Sequence, residues 1–258
     1  MLDGKRVLIT GAARGIGAAC ALELAAQGAA VLIVDIDDEE VNTRADALKR
    51  SGYAVEAATV DVTDAEQIQA LAARVEERWQ GQLDVLVNNA AILDGTSLDE
   101  LTRERFLQVQ DVNQNSVLWM TLAMRPFLRR SNAARVVNVA SILGVVGTPD
   151  CVSYASAKGG VINMTRALAV DLADDGILVN SICPGFVDTR MALLPDGSGH
   201  EHETDWFKDI YIKYGRIPLK RAAQPADIAR ALAFFCGDGC GYVTGQYLMV
   251  DGGVSSTM

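Results

Sequence analysis

Histidine is nearly missing from this chain: His200 and His202 are the only two in 258 residues. A Ser-His-Asp triad or a zinc site has almost no material to draw on. Positive charge is also short, with 23 Lys and Arg against 33 Asp and Glu, a net charge of −10. That balance argues against nucleic acid or an anionic membrane as a partner. The five cysteines (Cys20, Cys151, Cys183, Cys236, Cys240) form an odd set with no paired spacing. Three of them sit in apolar contexts and read as small core residues, and the set points to a reducing cytoplasm rather than a disulfide framework. No apolar run reaches the length of a membrane span, and Met1 to Lys5 carry no signal-peptide pattern. Repeats, low-complexity tracts and internal linkers are lacking too. With half its residues hydrophobic, the chain is expected to fold as one α/β domain over residues 1–258.

What is present begins with a short β-branched run, Lys5 to Thr10, ending at Gly11-Ala12-Ala13-Arg14-Gly15-Ile16-Gly17 and a helical stretch to about Gln27. Glycines at such a turn let the backbone bend tightly and approach a ligand. The helix N-terminus behind them offers free N–H groups and a positive dipole end to a pyrophosphate. Gly11, Arg14, Gly15, Ile16 and Gly17 are therefore cofactor candidates. The next strand, Ala30 to Val34, ends at Asp35, where a carboxylate can accept both adenosine ribose hydroxyls and repel a 2′-phosphate. Ile36 follows, with no arginine beside it to hold that phosphate. NAD is the expected cofactor.

Strand and helix then alternate: strands at Ala54–Val60, Leu83–Val87, Arg135–Val139 and Ile177–Ile182, helices at Asp64–Trp79, about Leu98–Arg130 and Val152–Asp174. Such repeats predict a doubly wound Rossmann fold, a mostly seven-stranded parallel sheet with helices on both faces. The distinctive polar positions fall at strand carboxyl ends, where open α/β sheets bind ligands. They include Asp61 and Val62, Asn88 and Asn89, Ser141, and Pro184-Gly185. On the long helix, Tyr154 and Lys158 are four residues apart and share a face. A nearby ammonium is expected to lower the phenol's pKa and fit it for acid–base chemistry.

Together, Thr10-Gly11-x-x-x-Gly15-Ile16-Gly17, Asp61, Asn88-Asn89-Ala90, Asn113, Ser141, Tyr154 with Lys158, and Pro184-Gly185 with Thr189 resemble the short-chain dehydrogenase/reductase family over essentially the full chain. The tail from Val243-Thr244-Gly245-Gln246 to Asp251-Gly252-Gly253 is similar as well. Ala91 departs from the family's usual glycine. The resemblance implies Tyr154 as acid–base residue and Lys158 on the nicotinamide ribose. Ser141 would hold the substrate oxygen, and Asn113 would anchor a water chain behind Lys158. It further implies Asp61 and Val62 beside the adenine, Asn89 near the adenosine, Val187 and Thr189 on the carboxamide, and a homotetramer. Leu118, Met120, Leu122, Met124, Val161, Ile162 and Met164 are the apolar positions expected at the subunit contact.

Substrate selection is expected in two loops. Leu143 and Cys151, with Asp150 beside them, border the reacting carbon. Residues 188–217 read as a lid, charged and glycine-rich first, then aromatic at Trp206, Phe207, Tyr211 and Tyr214. In that acidic loop His200 and His202 are expected to be solvent-exposed, and no metal is expected. The function read from this is hydride transfer between NAD(H) and a secondary alcohol or ketone, with oxidation of a small hydroxylated metabolite preferred. The alternative is an NADPH-dependent 3-oxoacyl-thioester reductase, which Asp35 opposes. A cofactor-binding regulator without chemistry and a purely structural protein fit the intact Ser141, Tyr154, Lys158 and Asn113 less well.

Overall fold

The computed structural model describes residues 2–194, 197 and 199–257. Its strands are β1 (Arg6–Thr10), β2 (Ala30–Asp35), β3 (Val55–Thr59), β4 (Val85–Asn88), β5 (Arg135–Val139), β6 (Leu178–Pro184) and β7 (Tyr247–Val250). They pair in the order β3-β2-β1-β4-β5-β6-β7, every pair parallel. The expected seven-stranded parallel sheet is what the chain forms. Strand order reverses between β1 and β4, so a crevice opens at their carboxyl ends, the usual ligand position in this architecture.

The helices are α1 (Gly15–Ala26), α2 (Asp38–Arg50), α3 (Ala65–Trp79), α4 (Arg103–Gln110), α5 (Ser116–Leu128), α6 (Val152–Asp171), the single turn α7 (Asp205–Phe207) and α8 (Pro225–Cys236). Period-two alternation splits the strand side chains between two cores. Val7, Ile9, Val31 and Ile33 pack with Leu24, Val41, Leu48, Ile228 and Leu232 of α1, α2 and α8. Leu8, Leu32, Leu86 and Val136 pack on the opposite side with Ile68, Leu71, Met120, Met124 and Leu168 of α3, α5 and α6. Capping fixes where several helices start. The Asp37 carboxylate accepts the Glu40 N–H at 3.1 Å, and Asp64 accepts the Glu66 and Gln67 N–H groups at 2.9 and 3.1 Å.

Three expectations need correction. The helix expected from Leu98 to Arg130 starts at Arg103, where the Thr102 hydroxyl caps it by accepting the Arg105 N–H at 3.1 Å. A π turn at Asp111–Asn115 then divides it, placing Asn113 on a widened turn of the kind common at functional sites. Met120, Met124, Val161 and Ile162 are buried within the subunit, so they face the sheet instead of a partner. Of the expected α5 contact residues only Leu122 remains exposed as a large apolar side chain, with Trp119 exposed beside it. Residues 188–217 are also more structured than a plain loop. They hold single helical turns at Arg190–Ala192, Glu201–Glu203 and α7, then a π turn at Lys208–Lys213. Pro195, Asp196 and Ser198 of that stretch lie outside the described residues.

Candidate active site

A continuous cleft of about 1760 Å³ runs along the carboxyl edge of the sheet. That exceeds the roughly 300–1,000 Å³ of a single small-molecule pocket, so it has room for a dinucleotide and a substrate together. Gly11, Arg14, Gly15, Ile16, Asp35, Ile36, Asp61, Val62 and Asn89 line one end. Ser141, Leu143, Cys151, Tyr154, Lys158, Pro184, Gly185, Val187 and Thr189 line the other. Gly17 and Asn113 are the sequence candidates that the cleft does not reach, and Asp150 beside Cys151 is outside its lining as well.

Close packing explains the turn at the adenosine end. Gly11 has φ +62°, and a Cβ there would sit 2.7 Å from the Ala90 Cα. A Cβ on Gly17 would meet the Gly11 carbonyl oxygen at 2.3 Å and the Asn89 amide nitrogen at 2.6 Å. Gly17 therefore serves the seating of the turn against β4, not ligand contact. Asn89 locks the same junction by donating from Nδ2 to the Thr10 and Gly11 carbonyls at 3.0 and 2.8 Å. Arg14, at the N-cap of α1, provides no side-chain cap. The first N–H groups of that helix lack a capping side chain, which suits an anion.

Asp35 sits where the sequence expects it, and it also braces the turn. Its Oδ2 accepts the Ala13 N–H at 3.0 Å, and Oδ1 accepts the Asp37 N–H at 3.2 Å. The helix cap that Asp35 could have supplied is provided by Asp37 instead. Each carboxylate oxygen keeps a further lone pair for a hydroxyl. The nearby Arg14 guanidinium is held by Glu40 at 2.5 Å and Asp37 at 3.4 Å. Arg190 reaches the same Glu40 carboxylate at 3.1 Å.

At the reacting end, Tyr154 and Lys158 are buried on one face of α6, 7% and 2% exposed. The Lys158 ammonium lies 5.7 Å from the centre of the Tyr154 ring and donates to the Val139 carbonyl at 2.8 Å. Burial pushes the Tyr154 phenol up to about 12, while a hydrogen bond with Ser141 pulls it down. The Lys158 ammonium is pulled down to about 8 by the same burial. The direction is opposite to the lowering expected from Lys158, because burial is the largest influence on the phenol. Ser141 Oγ accepts the Leu143 N–H at 3.1 Å, which leaves its own proton free for the phenol or a substrate oxygen.

Asn113 is wholly buried and clasps one residue with both ends of its amide. Its Oδ1 accepts the Ile92 N–H and its Nδ2 donates to the Ile92 carbonyl, each at 2.8 Å. Farther in, Asn88 donates to Asn138 and Thr121, and Asn138 donates to Thr165, knitting β4, β5, α5 and α6 together. Thr189 precedes a helical turn without capping it and lines the cleft.

The substrate end also uses residues that the sequence did not single out, among them Leu93, Gln108, Phe186, Arg216, Ser255 and Thr257. Most come from distant segments, and only the apolar character of Phe186 and Leu93 gave any signal. From the lid, Glu201, His202, Trp206 and Tyr211 line the cleft, while Phe207 is buried against Phe186 with ring centres 5.1 Å apart. Burial raises the Glu201 carboxyl above its ordinary value, with His200 opposing, and pulls the His202 imidazole down to about 4. The Cys151 thiol is raised by burial and by Asp150, Asp94 and Glu201, so it stays protonated. The expected solvent exposure of the two histidines is wrong. His200 Nε2 lies 3.1 Å from the Thr189 carbonyl and 3.2 Å from the Asp188 carboxylate, and His202 packs against Phe186 and Phe207.

Residues 11–255 match the family model described as Enoyl-(Acyl carrier protein) reductase. The 3-oxoacyl-(acyl-carrier-protein) reductase FabG of Thermotoga maritima is 36% identical over 98% of both chains. The meso-2,3-butanediol dehydrogenase of Serratia marcescens is 34% identical over 99% of this chain and 96% of its own. Among solved structures, a protein of Agrobacterium tumefaciens provisionally described as a gluconate dehydrogenase superposes with a TM-score of 0.91. It is 32% identical, over 100% of this chain and 98% of its own.

Proposed function

The chain belongs to the short-chain dehydrogenase/reductase family, and from that premise we propose that it transfers hydride between NAD(H) and a secondary alcohol or ketone. Its working direction is oxidation of a small hydroxylated metabolite. Asp35 is the observation that carries the NAD assignment: a carboxylate at the ribose position, with Arg14 held by Glu40 and Asp37 and Arg44 engaged with the Ala13 carbonyl. A 2′-phosphate would face the Asp35 carboxylate there, with its repulsion only partly relieved. Relatives named butanediol dehydrogenase and gluconate dehydrogenase support a hydroxylated substrate, as do the polar groups of Ser141, Glu201, His202 and Thr257 in the cleft.

Bound nicotinamide supplies the hydride acceptor or donor. The residues present fit such a group: a helix N-terminus without a capping side chain, a free carboxylate lone pair at Asp35, and Thr189 lining the cleft. Gly11, Arg14, Gly15, Ile16 and Asn89 would surround the pyrophosphate and adenosine, with Ile36, Asp61 and Val62 flanking the adenine pocket. Pro184, Gly185, Val187 and Thr189 would hold the nicotinamide end. In oxidation Tyr154 takes the hydroxyl proton of the substrate, and in reduction it gives one back. Ser141 donates to the same oxygen and steadies the charge that develops on it. Lys158 would bind the cofactor ribose and supplies positive charge behind the phenol. Both ends of the Asn113 amide being engaged with Ile92, its part in a water chain runs through its backbone. Leu143 and Cys151 shape the pocket around the reacting carbon.

The whole chain works as one catalytic unit in the cytoplasm, where five unpaired cysteines are at home, and it assembles as a homotetramer. No helix among the described residues is long and apolar enough to cross a membrane. A second reading, reduction of a 3-oxoacyl thioester with NADPH, is favoured by the relatives named FabG. One experiment separates the two. Secondary alcohols, polyols and hydroxy acids are offered with NAD, and a 3-oxoacyl thioester with NADPH, each followed by NADH or NADPH absorbance. Turnover of a hydroxylated compound with NAD supports the first reading, and turnover of only the thioester with NADPH replaces it with the second.

A further inference from the structure

On the outer side of the lid lies a second pocket, of about 610 Å³, lined by Asp188, His200, His202, Glu203, Arg221 and Asp227 among others. His202 also lines the main cleft, so the two histidines belong to the wall between the cavities. One ligand atom from each of Asp188, His200 and His202 lies within 4.8 Å of the other two. Two imidazoles and a carboxylate are a donor set that suits borderline cations such as zinc and leaves hard magnesium or calcium poorly served.

A separate observation concerns a member of this cluster. His202 Nδ1 is buried and has no hydrogen-bond partner, which is costly for a polar atom unless a ligand meets it. Asp188 is already oriented, its Oδ2 accepting from Gln224 at 3.1 Å while Oδ1 faces His200 at 3.2 Å. Such outer hydrogen bonds commonly aim metal ligands. Of the two arginines lining the pocket, Arg221 is bound to Asp227 at 2.6 Å and Arg230 acts on the same carboxylate, so both charges are offset by Asp227.

We propose that Asp188, His200 and His202 form a binding site for a zinc-type divalent cation that fastens the lid to the carboxyl end of β6. Asp188 lies four residues past the end of that strand, and the histidines lie 12 and 14 residues on, so a shared cation ties the two ends of the intervening stretch together. Donors around a tetrahedral zinc sit ~3.4 Å apart, so the histidine turn moves in by roughly an ångström on binding. As the cation takes Nε2 of His200, the proton there moves by way of water to Nδ1, which gives up its 3.3 Å bond from the His202 N–H. Three protein ligands leave a fourth position for water.

Cobalt(II) tests this, because a tetrahedral nitrogen and oxygen site gives it a visible absorption band. Tag-free, chelator-treated protein titrated with cobalt is expected to develop that band at one equivalent, and zinc is expected to displace it. Asp188→Asn and His202→Ala, each checked for an unchanged circular dichroism spectrum, should weaken binding at least tenfold. Asp188 has a half-exposed side chain, so its variant keeps the test decisive even if His202→Ala misfolds. A featureless titration, or binding that both folded variants retain, overturns the proposal.

Discussion

Asn113 holds Ile92 by two hydrogen bonds of 2.8 Å, one to its N–H and one from Asn113 to its carbonyl. The clasp joins the π turn between α4 and α5 to the segment that leaves β4 and lines the cleft. Asn113→Ala leaves two buried backbone groups unpaired, each costing about 1–3 kcal/mol. The variant is expected to melt several degrees lower and to lose turnover through displacement of residues 91–93. Thermal unfolding and a steady-state assay check both, and an unchanged melting temperature would show that the clasp is dispensable.

Lys158 is buried with its pKa drawn down to about 8, against ~10.4 in an unfolded chain. Below pH 8 both states are protonated, and burial of the charge destabilises the fold. Between pH 8 and about 10.4 the native state releases its proton first, so this contribution becomes less unfavourable as pH rises. Lys158→Met is therefore expected to be inactive yet more stable at pH 7. The gain is on the order of 1–2 kcal/mol once the unpaired Val139 carbonyl is counted. The advantage over wild type should shrink toward pH 10. Chemical unfolding of both proteins at pH 7 and 10 measures it, and an advantage that grows with pH would contradict the sign.

Catalysis should carry the same groups in its pH profile. With Tyr154 held high by burial, its base form is scarce at pH 7. Alcohol oxidation is expected to rise steadily from pH 7 to about 9.5, while carbonyl reduction stays flat or falls. Initial rates in both directions over that range decide it. An oxidation rate that is flat across the range would mean that the phenol does not limit proton transfer.

Cofactor choice follows from Asp35. Like charges ~4 Å apart repel by about 4 kcal/mol at an effective dielectric of 20. Arg14, held by Glu40 and Asp37, relieves only part of it, so NAD should exceed NADP by roughly a hundredfold in kcat/KM. Asp35→Ala should weaken NAD use and, by leaving the Ala13 N–H without its acceptor, lower stability by about 1 kcal/mol. Adding Ile36→Arg should then favour NADP. Kinetics with both cofactors settle it: equal wild-type kcat/KM would overturn the ribose assignment.

Trp119 and Leu122 remain exposed on α5, 52% and 45%. Light scattering at micromolar concentration is expected to give a tetramer, and Trp119→Lys smaller species with the subunit fold intact. A monomeric wild type would refute the assembly.

Local spacing explains what was legible in the sequence. Gly11 to Gly17, Asp35, and Tyr154 with Lys158 follow the periods of one turn, one β–α–β unit and one helix, so pattern alone brings all but Gly17 of the singled-out residues to the cleft. The π turn around Asn113 escaped because Arg103 to Leu128 carries apolar residues at ordinary helical spacing, and nothing in it distinguishes i+5 from i+4 bonding. The lid histidines looked exposed because their glycine-rich surroundings are polar. Their actual neighbours, Asp188, Phe186 and Phe207, become adjacent only when the segment folds back on the end of β6. Lys158 misled for a related reason: its position on α6 was plain, but the burial that dominates the Tyr154 phenol arises only in the folded chain.

The central claim is that the Tyr154 phenol moves the proton while the cofactor site stays independent of it. Tyr154→Phe keeps the ring and removes one oxygen. Turnover of the wild-type substrate with NAD, measured beside NADH binding by fluorescence, is the most direct test. The account predicts a rate lowered at least 10²–10⁴-fold with NADH affinity within a few-fold of wild type. A variant that turns over at near the wild-type rate would contradict it.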